Sequence, residues 1–283
     1  MNRLLLCSDL DRTLLPNGPQ PESPGARARF ARLAARPEVT LAYVTGRHRE
    51  LVERALASYG LPRPDYVIAD VGTTIYAVND ADWRELDAWR AELAGDWAGH
   101  DRDQVRRLLG EFADLRPQEA AKLGPFKLSF YVPLYREAAA LVADIERQLA
   151  AAGLAARVVW SVDEPRNLGL LDVLPAAAGK LPALTFLAAR LGFTDAEMLF
   201  AGDSGNDLAV LASAVPSVLV ANATDDVRAA AVAAAAAAGH AERLHLARGG
   251  PFGMNGNYAA GVLEGVAHFH PEAVAWFAEG RTA

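Results

Sequence analysis

Three short apolar runs, each ending in polar residues, lie near the beginning of the chain. They are Leu4–Ser8, Val39–Val44 and Tyr66–Ala69, and continuous apolar runs of this length predict strands that are buried on both faces. Helical patterns at residues 26–35 and 48–59 separate them. This alternation of buried strands with helices predicts an α/β fold whose core is a doubly wound, Rossmann-like parallel sheet.

The pattern changes between residues 80 and 168. Helical stretches alternate there with strand-like runs, at residues 102–115, 127–132, 136–152 and 156–160. The first rhythm then returns, with a helix over Lys180–Leu191 and a strand at residues 198–201. We therefore predict a core domain from residues 1–79 and 169–283, with an inserted α+β cap domain at residues 80–168.

Composition narrows the class of protein. The chain has 283 residues, of which 52% are hydrophobic and 22% are charged, as in ordinary globular domains. Its apolar runs are too short for a membrane helix, and Asp9 follows the first run too closely for a secretion signal. A single cysteine, Cys7, excludes an internal disulfide, and the net charge of −7 argues against nucleic-acid binding. We expect a cytoplasmic protein with no nucleic-acid partner and no membrane partner.

Two carboxylates directly follow the first predicted strand. Asp9 and Asp11 are two residues apart on an extended segment, so both side chains can face one site. Such a pair suits covalent phosphoryl transfer. One carboxylate attacks phosphorus, while the other protonates the leaving oxygen and later takes a proton from water. A solvated acidic turn is the alternative interpretation.

Two further signals are weak when each is taken alone. Thr45, Gly46 and Arg47 follow the second strand, where a hydroxyl and backbone N–H groups can bind phosphate, although Thr45 would also serve as a helix cap. Lys180 begins a predicted helix, a position that the helix dipole disfavours for a cation. Either a bound phosphate or simple exposure to solvent would explain a lysine there.

The strongest signal is the glycine-containing turn after residues 198–201. Asp203 and Asp207 place two carboxylates around this turn. Hard oxygen ligands of this kind suit Mg²⁺, which binds one or two carboxylates together with waters and a substrate phosphate. A polar turn with Asn206 as a helix cap is the alternative interpretation.

In chain order, these four signals resemble the motifs of the haloacid dehalogenase superfamily of Mg²⁺-dependent phosphohydrolases. The resemblance implies that Asp9 is the nucleophile and that Asp11 is the general acid/base. It implies that Thr45 and Lys180 bind and stabilise the phosphoryl oxygens. The metal ligands that it implies are Asp9, the backbone carbonyl of Asp11, Asp203 and Asp207.

The number of residues between the motifs indicates which class of the superfamily the chain resembles. Between Asp9 and Thr45 lie 35 residues, and between Thr45 and Lys180 lie 134, so the cap must follow the second motif, as in the class with a large α/β cap. Segments such as residues 64–66 and 71–73 resemble bacterial sucrose-phosphate phosphatases, and the likeness covers essentially the whole chain. The substrate-binding residues expected from this resemblance are Gly46, Arg47, Gly72, Thr73, Thr74, Lys127, Ser129 and Asn206.

At two places the sequence departs from that family, so two sugars stay as candidates for the substrate. The sucrose enzymes usually carry glutamate where this chain has Thr74, and a Gln-Arg pair where it has Ala176 and Ala177. Phosphatases of mannosylfructose phosphate look similar at these positions. We therefore predict hydrolysis of a small-molecule sugar phosphate, with sucrose-6-phosphate first and mannosylfructose phosphate as the alternative.

Other partners and functions follow from the same resemblance. A sugar-phosphate synthase of the same pathway is the expected protein partner. Two different functions stay open, namely a non-catalytic sugar-phosphate-binding module and a phosphotransferase or mutase. A binding module of this kind typically lacks an acid of the first motif, and this chain has both.

Overall fold

The computed structural model describes residues 3–79, 82–120, 123–163 and 166–278. Within these ranges the strands are β1 (Leu4–Ser8), β2 (Val39–Val44), β3 (Tyr66–Ala69), β4 (Thr74–Val78), β5 (Trp83–Glu85), β6 (Arg116–Pro117), β7 (Leu128–Pro133), β8 (Ala156–Asp163), β9 (Leu168–Pro175), β10 (Met198–Gly202), β11 (Ser217–Leu219) and β12 (Leu244–Leu246). The helices are α1 (Ala26–Ala34), α2 (Arg49–Tyr59), α3 (Asp87–Asp96), α4 (Arg102–Leu108), α5 (Ala138–Ala151), α6 (Lys180–Leu191), α7 (Leu208–Leu211), α8 (Asp225–Ala237), α9 (Ala259–Phe269) and α10 (Val274–Phe277).

The larger sheet has the strand order β12-β11-β10-β1-β2-β3-β4-β5. It is parallel except for β4 and β5, which add to one edge in antiparallel fashion. Every residue of β1 is buried, because Leu4 and Leu6 pack against α1, α9 and α10 while Leu5 and Cys7 pack against α6. Helices on both faces explain why the parallel strands are continuously apolar. The predicted doubly wound α/β core is confirmed.

The smaller sheet is antiparallel, with the order β6-β7-β9-β8. Leu128, Phe130 and Val132 alternate along β7 and are buried against the apolar side of α5, where the side chains four residues apart include Leu141 and Ile145. The opposite face of this sheet is turned toward the carboxyl ends of the core strands. The cap region is therefore α+β, as its sequence pattern predicts.

The sheets divide the chain at slightly different residues from the predicted domain boundaries. β5 belongs to the larger sheet through its pairing with β4, although the sequence pattern assigns residues from 80 onward to the cap. β9 lies between β7 and β8, although the pattern assigns residues from 169 onward to the core. The reason is that β9 buries Leu171 and Val173 in the core of the smaller sheet. Whether each sheet with its helices is a separate domain stays a prediction.

Some helices are shorter than their sequence patterns predict. The helix predicted at residues 102–115 ends at Leu108. After the turn that carries Asp203, a 3₁₀ turn leads into a helix that covers only Leu208–Leu211. The helices of the described residues are all too short or too polar to cross a membrane.

Candidate active site

Four neighbouring strands of the larger sheet end at one edge, and each is followed by a polar residue. Asp9 follows β1, Thr45 follows β2, Asp70 follows β3 and Asp203 follows β10. The chain order reverses between β1 and β10, since β2 and β3 lie on one side of that point and β11 and β12 on the other. Ligands bind in the crevice at such a switch point. The sequence signals therefore converge where the fold itself provides a site.

Three buried acids and a buried lysine occupy the centre of this crevice. Carboxylate oxygens of Asp9, Asp203 and Asp207 lie within 4.8 Å of one another. Lys180 Nζ donates to Asp207 Oδ1 at 2.7 Å and lies 3.2 Å from Asp9 Oδ1. Because the Lys180 side chain is 1% exposed, it is not a solvated surface lysine. The two carboxylates explain a cation at the first residue of α6.

Burial and mutual repulsion dominate the electrostatics of these acids. Burial raises the pKa of Asp9 to about 8, with Lys180 opposing the rise and Asp207 adding to it. Burial also raises the pKa of Asp203 to about 6, and Asp207 again adds to the rise. Burial acts to lower the pKa of Lys180, but the charges of Asp207 and Asp9 outweigh it and raise that pKa. The cluster thus holds more negative charge than Lys180 balances.

The turn that carries Asp203 is organised by Asp207. Asp207 Oδ2 accepts hydrogen bonds from the N–H groups of Asp203 and Ser204 and from Ser204 Oγ, each at 3.1 Å. Gly202 is required there, because a Cβ would come within 2.6 Å of Asp207 Cγ. Asn206 Oδ1 lies 2.9 Å from Ser204 Oγ, so it shares the single hydroxyl proton with Asp207. Asp207 Oδ2 is therefore satisfied inside the turn, and Oδ1 faces the acid cluster.

Asp11 is held by donors from two different loops. Arg47 Nη2 donates to Asp11 Oδ1 at 2.6 Å, and Arg47 Nε donates to Oδ2 at 2.7 Å. Asn17 Nδ2 donates to Oδ1 at 2.7 Å. Burial acts to raise the pKa of Asp11, but the hydrogen bonds and charge of Arg47 outweigh it, so the pKa lies below its ordinary value. The expected general acid/base is ionised and fixed in orientation.

The predicted phosphate corner after β2 is hydrogen-bonded to the loop after β3. Thr45 N–H donates to the Ile68 carbonyl at 2.8 Å, and Asp70 N–H donates to the Arg47 carbonyl at 3.1 Å. Thr45 Oγ1 accepts from Arg47 N–H at 3.2 Å, so the hydroxyl can still donate its own proton to an anion. Backbone hydrogen bonds thus tie this corner to the neighbouring strand and loop.

A cavity of about 450 Å³ lies beside the acids, between the two sheets. The core wall includes the predicted site residues Asp9, Asp11, Thr45, Gly46, Arg47, Asp203 and Asn206. The cap wall is formed by Gln118, Lys127, Ser161, Leu170 and Asp172. This volume falls in the range of small-molecule sites. The cavity thus has one wall with the predicted phosphate-binding residues and a second wall with polar side chains of the cap region.

Strand alternation aims the polar side chains of the cap wall into the cavity. Asp172 pairs in register with Ser129 on β7, while its neighbours Leu171 and Val173 are buried on the opposite face. Lys127 precedes β7 by one residue, and its Nζ lies 3.7 Å from Asp172 Oδ2. Lys127 therefore lines the cavity beside a carboxylate partner, and its contact with a sugar stays a prediction.

Four predicted substrate-binding residues are buried and are not among the described residues that line this cavity, so their contact with substrate stays a prediction; they are Gly72, Thr73, Thr74 and Ser129. Asp70 reaches the cavity instead, from a backbone with a left-handed φ of 52°. Burial raises the pKa of Asp70, while Lys127 and a hydrogen bond with Thr74 oppose the rise. Thr74 thus supports Asp70 from behind, and a direct role for it in sugar binding stays a prediction.

Gly72 marks the closest approach between this loop and the segment that leads to Lys180. A Cβ at Gly72 would lie 2.3 Å from the Gly179 carbonyl carbon, and the φ of Gly72 is +91°. The Gly72 carbonyl also accepts a hydrogen bond from Trp89 Nε1 at 3.1 Å. The two glycine backbones therefore touch directly, just before α6, which begins at Lys180.

A larger groove of about 700 Å³ lies beside α3 and α4. Its walls include Asp87, Arg90 and Arg102 and contain none of the predicted motif residues. We assign the site to the smaller cavity, because only there do the buried acids, Lys180 and the phosphate corner meet among the residues that the structure describes.

Sequence reasoning misses several side chains of the site. Thr13 Oγ1 donates to Asp203 Oδ1 at 3.1 Å, and its place two residues after Asp11 is a signal that could have found it. Asp172 and Ser161 are isolated polar positions on strands, and Asn17 lies in a loop rich in proline and glycine. No pattern in the chain distinguishes these three from ordinary surface residues.

The donor set fits a divalent cation. Asp9, Asp203 and Asp207 Oδ1 offer hard oxygens at close range. Burial, with the charge of Asp207 adding to it, raises the pKa of Asp9 and Asp203, and a cation would favour their ionised forms. The backbone carbonyl of Asp11 as a further ligand stays a prediction.

Comparison with known proteins adds an independent finding. The family model for Sucrose-6F-phosphate phosphohydrolase matches residues 2–270. A protein of Nitrosococcus oceani named only as a HAD-like hydrolase is 49% identical over 279 residues, covering 99% of this chain and 75% of that protein. Mannosylfructose-phosphate phosphatase of Agrobacterium fabrum is 34% identical over 164 residues, covering 58% of this chain and 61% of that enzyme.

Solved structures show the same likeness. The sucrose-phosphatase from Synechocystis sp. PCC6803, solved in complex with sucrose and phosphate, is similar with a TM-score of 0.71 and 25% sequence identity. The match covers 95% of this chain and 98% of that one, so it includes both sheets.

Proposed function

The chain belongs to the Sucrose-6F-phosphate phosphohydrolase family of haloacid dehalogenase-like phosphoric monoester hydrolases, and we propose that its substrate is a disaccharide monophosphate, with sucrose-6-phosphate first. The observation that carries the proposal is the two-walled cavity. Asp9, Thr45 and the buried Lys180 serve a phosphate group on the core side. Lys127 and Asp172 offer a donor and an acceptor on the cap side, as sugar hydroxyls require.

In the first chemical step, a carboxylate oxygen of Asp9 attacks phosphorus and the bond from phosphorus to the sugar oxygen breaks. Asp11, which takes up a proton from solvent when the incoming phosphate draws Arg47 away from it, gives that proton to the sugar oxygen, so the sugar leaves as a neutral alcohol and Asp9 carries the phosphoryl group. Lys180 and the Thr45 hydroxyl stabilise the charge on the phosphoryl oxygens. Arg47 lies on the same wall, so an incoming phosphate competes with Asp11 for its guanidinium.

In the second step, Asp11 takes a proton from water while the water oxygen bonds to phosphorus. The bond to Asp9 breaks, and phosphate leaves with both carboxyl groups restored. A Mg²⁺ ion bound by Asp9, Asp203 and Asp207 would neutralise charge on the phosphoryl group and favour the ionised form of Asp9. The acids of the first motif are both present, so the non-catalytic alternative has no support in this site.

A substrate panel tests the proposal. Purified protein with Mg²⁺ is given sucrose-6-phosphate, mannosylfructose phosphate and glucose 6-phosphate, and released phosphate is measured. We expect kcat/KM for sucrose-6-phosphate to exceed that for glucose 6-phosphate by about tenfold or more, since lost hydrogen bonds in a polar pocket penalise the smaller sugar. Equal values would remove the disaccharide assignment. A higher value for mannosylfructose phosphate would establish the alternative substrate.

A further inference from the structure

Asn17 contacts the expected general acid/base in a way that the proposed mechanism does not use. Its amide Nδ2 donates to Asp11 Oδ1 at 2.7 Å, and its Oδ1 accepts from Arg12 N–H at 2.8 Å. The orientation of the amide follows from these partners, since a carboxylate can only accept and a backbone N–H can only donate. One side chain therefore holds both the carboxylate of Asp11 and the next peptide group.

Arg12, whose backbone N–H is bound by Asn17, has an unusual backbone conformation. Arg12 has a left-handed φ of 56°, a conformation that non-glycine residues adopt rarely. Asn17 binds its N–H, and the buried Asn222 donates from Nδ2 to its carbonyl at 2.6 Å. The segment that follows Asp11 is thus fixed from both sides, so the direction of the Asp11 side chain is determined by the loop as well as by Arg47.

Arg47 and Asn17 differ in what happens when substrate enters. Arg47 lines the cavity, where an anionic phosphate competes for its charge, whereas Asn17 is absent from the described residues of the cavity wall. Asn17 is also uncharged, so it can bind Asp11 without competing for the phosphate. The hydrogen bond from Asn17 can therefore persist in the complex.

We propose that Asn17 is the positioning residue that keeps the Asp11 carboxylate aimed at the leaving oxygen and at the attacking water while phosphate is bound. The proposal rests on the hydrolase mechanism given above. The proton leaves Asp11 for the sugar oxygen as the first phosphorus–oxygen bond breaks, and a proton returns to Asp11 from water as the second one breaks. Both transfers need the same carboxylate in the same place.

p-Nitrophenyl phosphate separates the two transfers. Nitrophenolate leaves without a proton, so with this ester the first step does not need Asp11, whereas release of phosphate from Asp9 still does. We expect Asn17→Ala to form phosphorylated enzyme rapidly and to turn over about tenfold more slowly than wild type, because mispositioning removes part of the acid–base contribution. The fraction of enzyme trapped as phosphoenzyme by acid quench should rise above that of wild type.

Two variants show which contact matters. Asn17→Asp keeps the acceptor for Arg12 N–H but loses the donor to Asp11, so it should accumulate phosphoenzyme as Asn17→Ala does. Asn257→Ala is the matched control, since Asn257 Nδ2 donates to the Pro21 carbonyl of the same loop, at 3.0 Å, instead of to Asp11. It should behave like wild type.

Three results would overturn the proposal. They are unchanged turnover in Asn17→Ala, slower turnover with no added phosphoenzyme, and wild-type behaviour of Asn17→Asp. The sugar-phosphate panel is independent of this test, because the aryl ester reports on Asp11 whichever sugar the enzyme prefers.

Discussion

Lys180 combines two requirements in one side chain. It is buried, and its ammonium lies between Asp9 and Asp207, which would repel each other without it. Buried charges of this kind stabilise a fold only as a set, because removing one partner leaves the other desolvated and unpaired. The excess negative charge that remains around Asp9 and Asp203 favours a cation and, with it, a bound phosphate.

Replacement of the nucleophile gives the first prediction. Asp9→Asn keeps the shape of the side chain but removes the attacking oxygen, so turnover of p-nitrophenyl phosphate should fall by about three powers of ten or more. The fold should persist, because Lys180 keeps its hydrogen bond to Asp207. Asp195→Asn, at an exposed acid, is the control. Residual turnover above about a hundredth of wild type would remove Asp9 from the nucleophile's role.

The cap lysine gives the second prediction. Lys127→Ala should raise KM for the preferred sugar phosphate about tenfold and leave KM for p-nitrophenyl phosphate within about twofold, since it removes a contact on the sugar wall and none on the phosphate wall. Arg147→Ala, at an exposed position on α5, should change neither constant. An equal rise for both esters would show that Lys127 does not recognise the sugar.

The predictable side chains of the site share one property. Asp9, Thr45 and Asp203 each follow an apolar run, so the strand pattern itself places them at one edge of the sheet. Asp70 follows such a run as well, but its left-handed backbone is invisible in the sequence, and the expected contacts fall on Gly72 to Thr74 instead. Backbone conformation at single residues decides which side chains of this loop line the cavity, and no periodicity encodes it.

Strands that are buried on both faces were predicted from the sequence more accurately than partly exposed strands. β1 and β2 are continuously apolar because helices cover both faces of the larger sheet, and their bounds match the sequence pattern. β6 and β12 are edge strands of two or three residues, too short to show any period. The sequence pattern did not predict β9 as a cap strand, because its residues alternate between a buried face and a face that lines the cavity. A strand that lines a cavity with polar side chains has the same alternating sequence pattern as a strand that faces solvent.

The end of α9 gives a prediction about pH. Burial lowers the pKa of His270, and its hydrogen bond to the Met198 carbonyl, at 2.9 Å, opposes this only in part. The folded protein thus holds His270 neutral, while the unfolded chain takes up a proton below about pH 6.5. Stability contributed by neutral His270 is therefore complete above that pH and is lost as the pH falls below it.

The measurement is the free energy of unfolding by urea at pH 7, 6 and 5. His270→Gln keeps a donor for Met198 but cannot titrate, so its stability should fall less steeply, by up to about 1.4 kcal/mol per pH unit. The comparison is between the slopes of the two proteins, which cancels the other titrating groups. Parallel slopes would show that His270 does not contribute to the acid sensitivity of the fold.

At the scale of the whole molecule, one metal ion should stabilise the junction between two adjacent strands of the larger sheet. Asp9 directly follows β1 and Asp203 directly follows β10, so a cation between them links segments that are far apart in sequence. Because it binds only the folded chain, Mg²⁺ should raise the melting temperature progressively with concentration. Chelation should abolish phosphatase activity, and Ca²⁺, which prefers more ligands at longer distances, should inhibit it.

Asp203→Asn separates specific binding from a general salt effect. It should remove most of the Mg²⁺-dependent rise in melting temperature, while Asp195→Asn retains it. Full activity after exhaustive chelation would contradict the assignment of the acid cluster as a metal site.

The contact between Gly72 and Gly179 has a consequence for how this sequence can vary. A library with every substitution at each position, sorted for folded protein, should return only glycine at Gly72, because any side chain would collide with the Gly179 backbone. Gly60 and Gly153 also have left-handed φ, but the described residues leave open space around them, so asparagine should survive there. Substitutions could therefore accumulate at the open loop glycines, whereas the contact between the loop after β3 and the segment that leads to Lys180 would keep Gly72 unchanged.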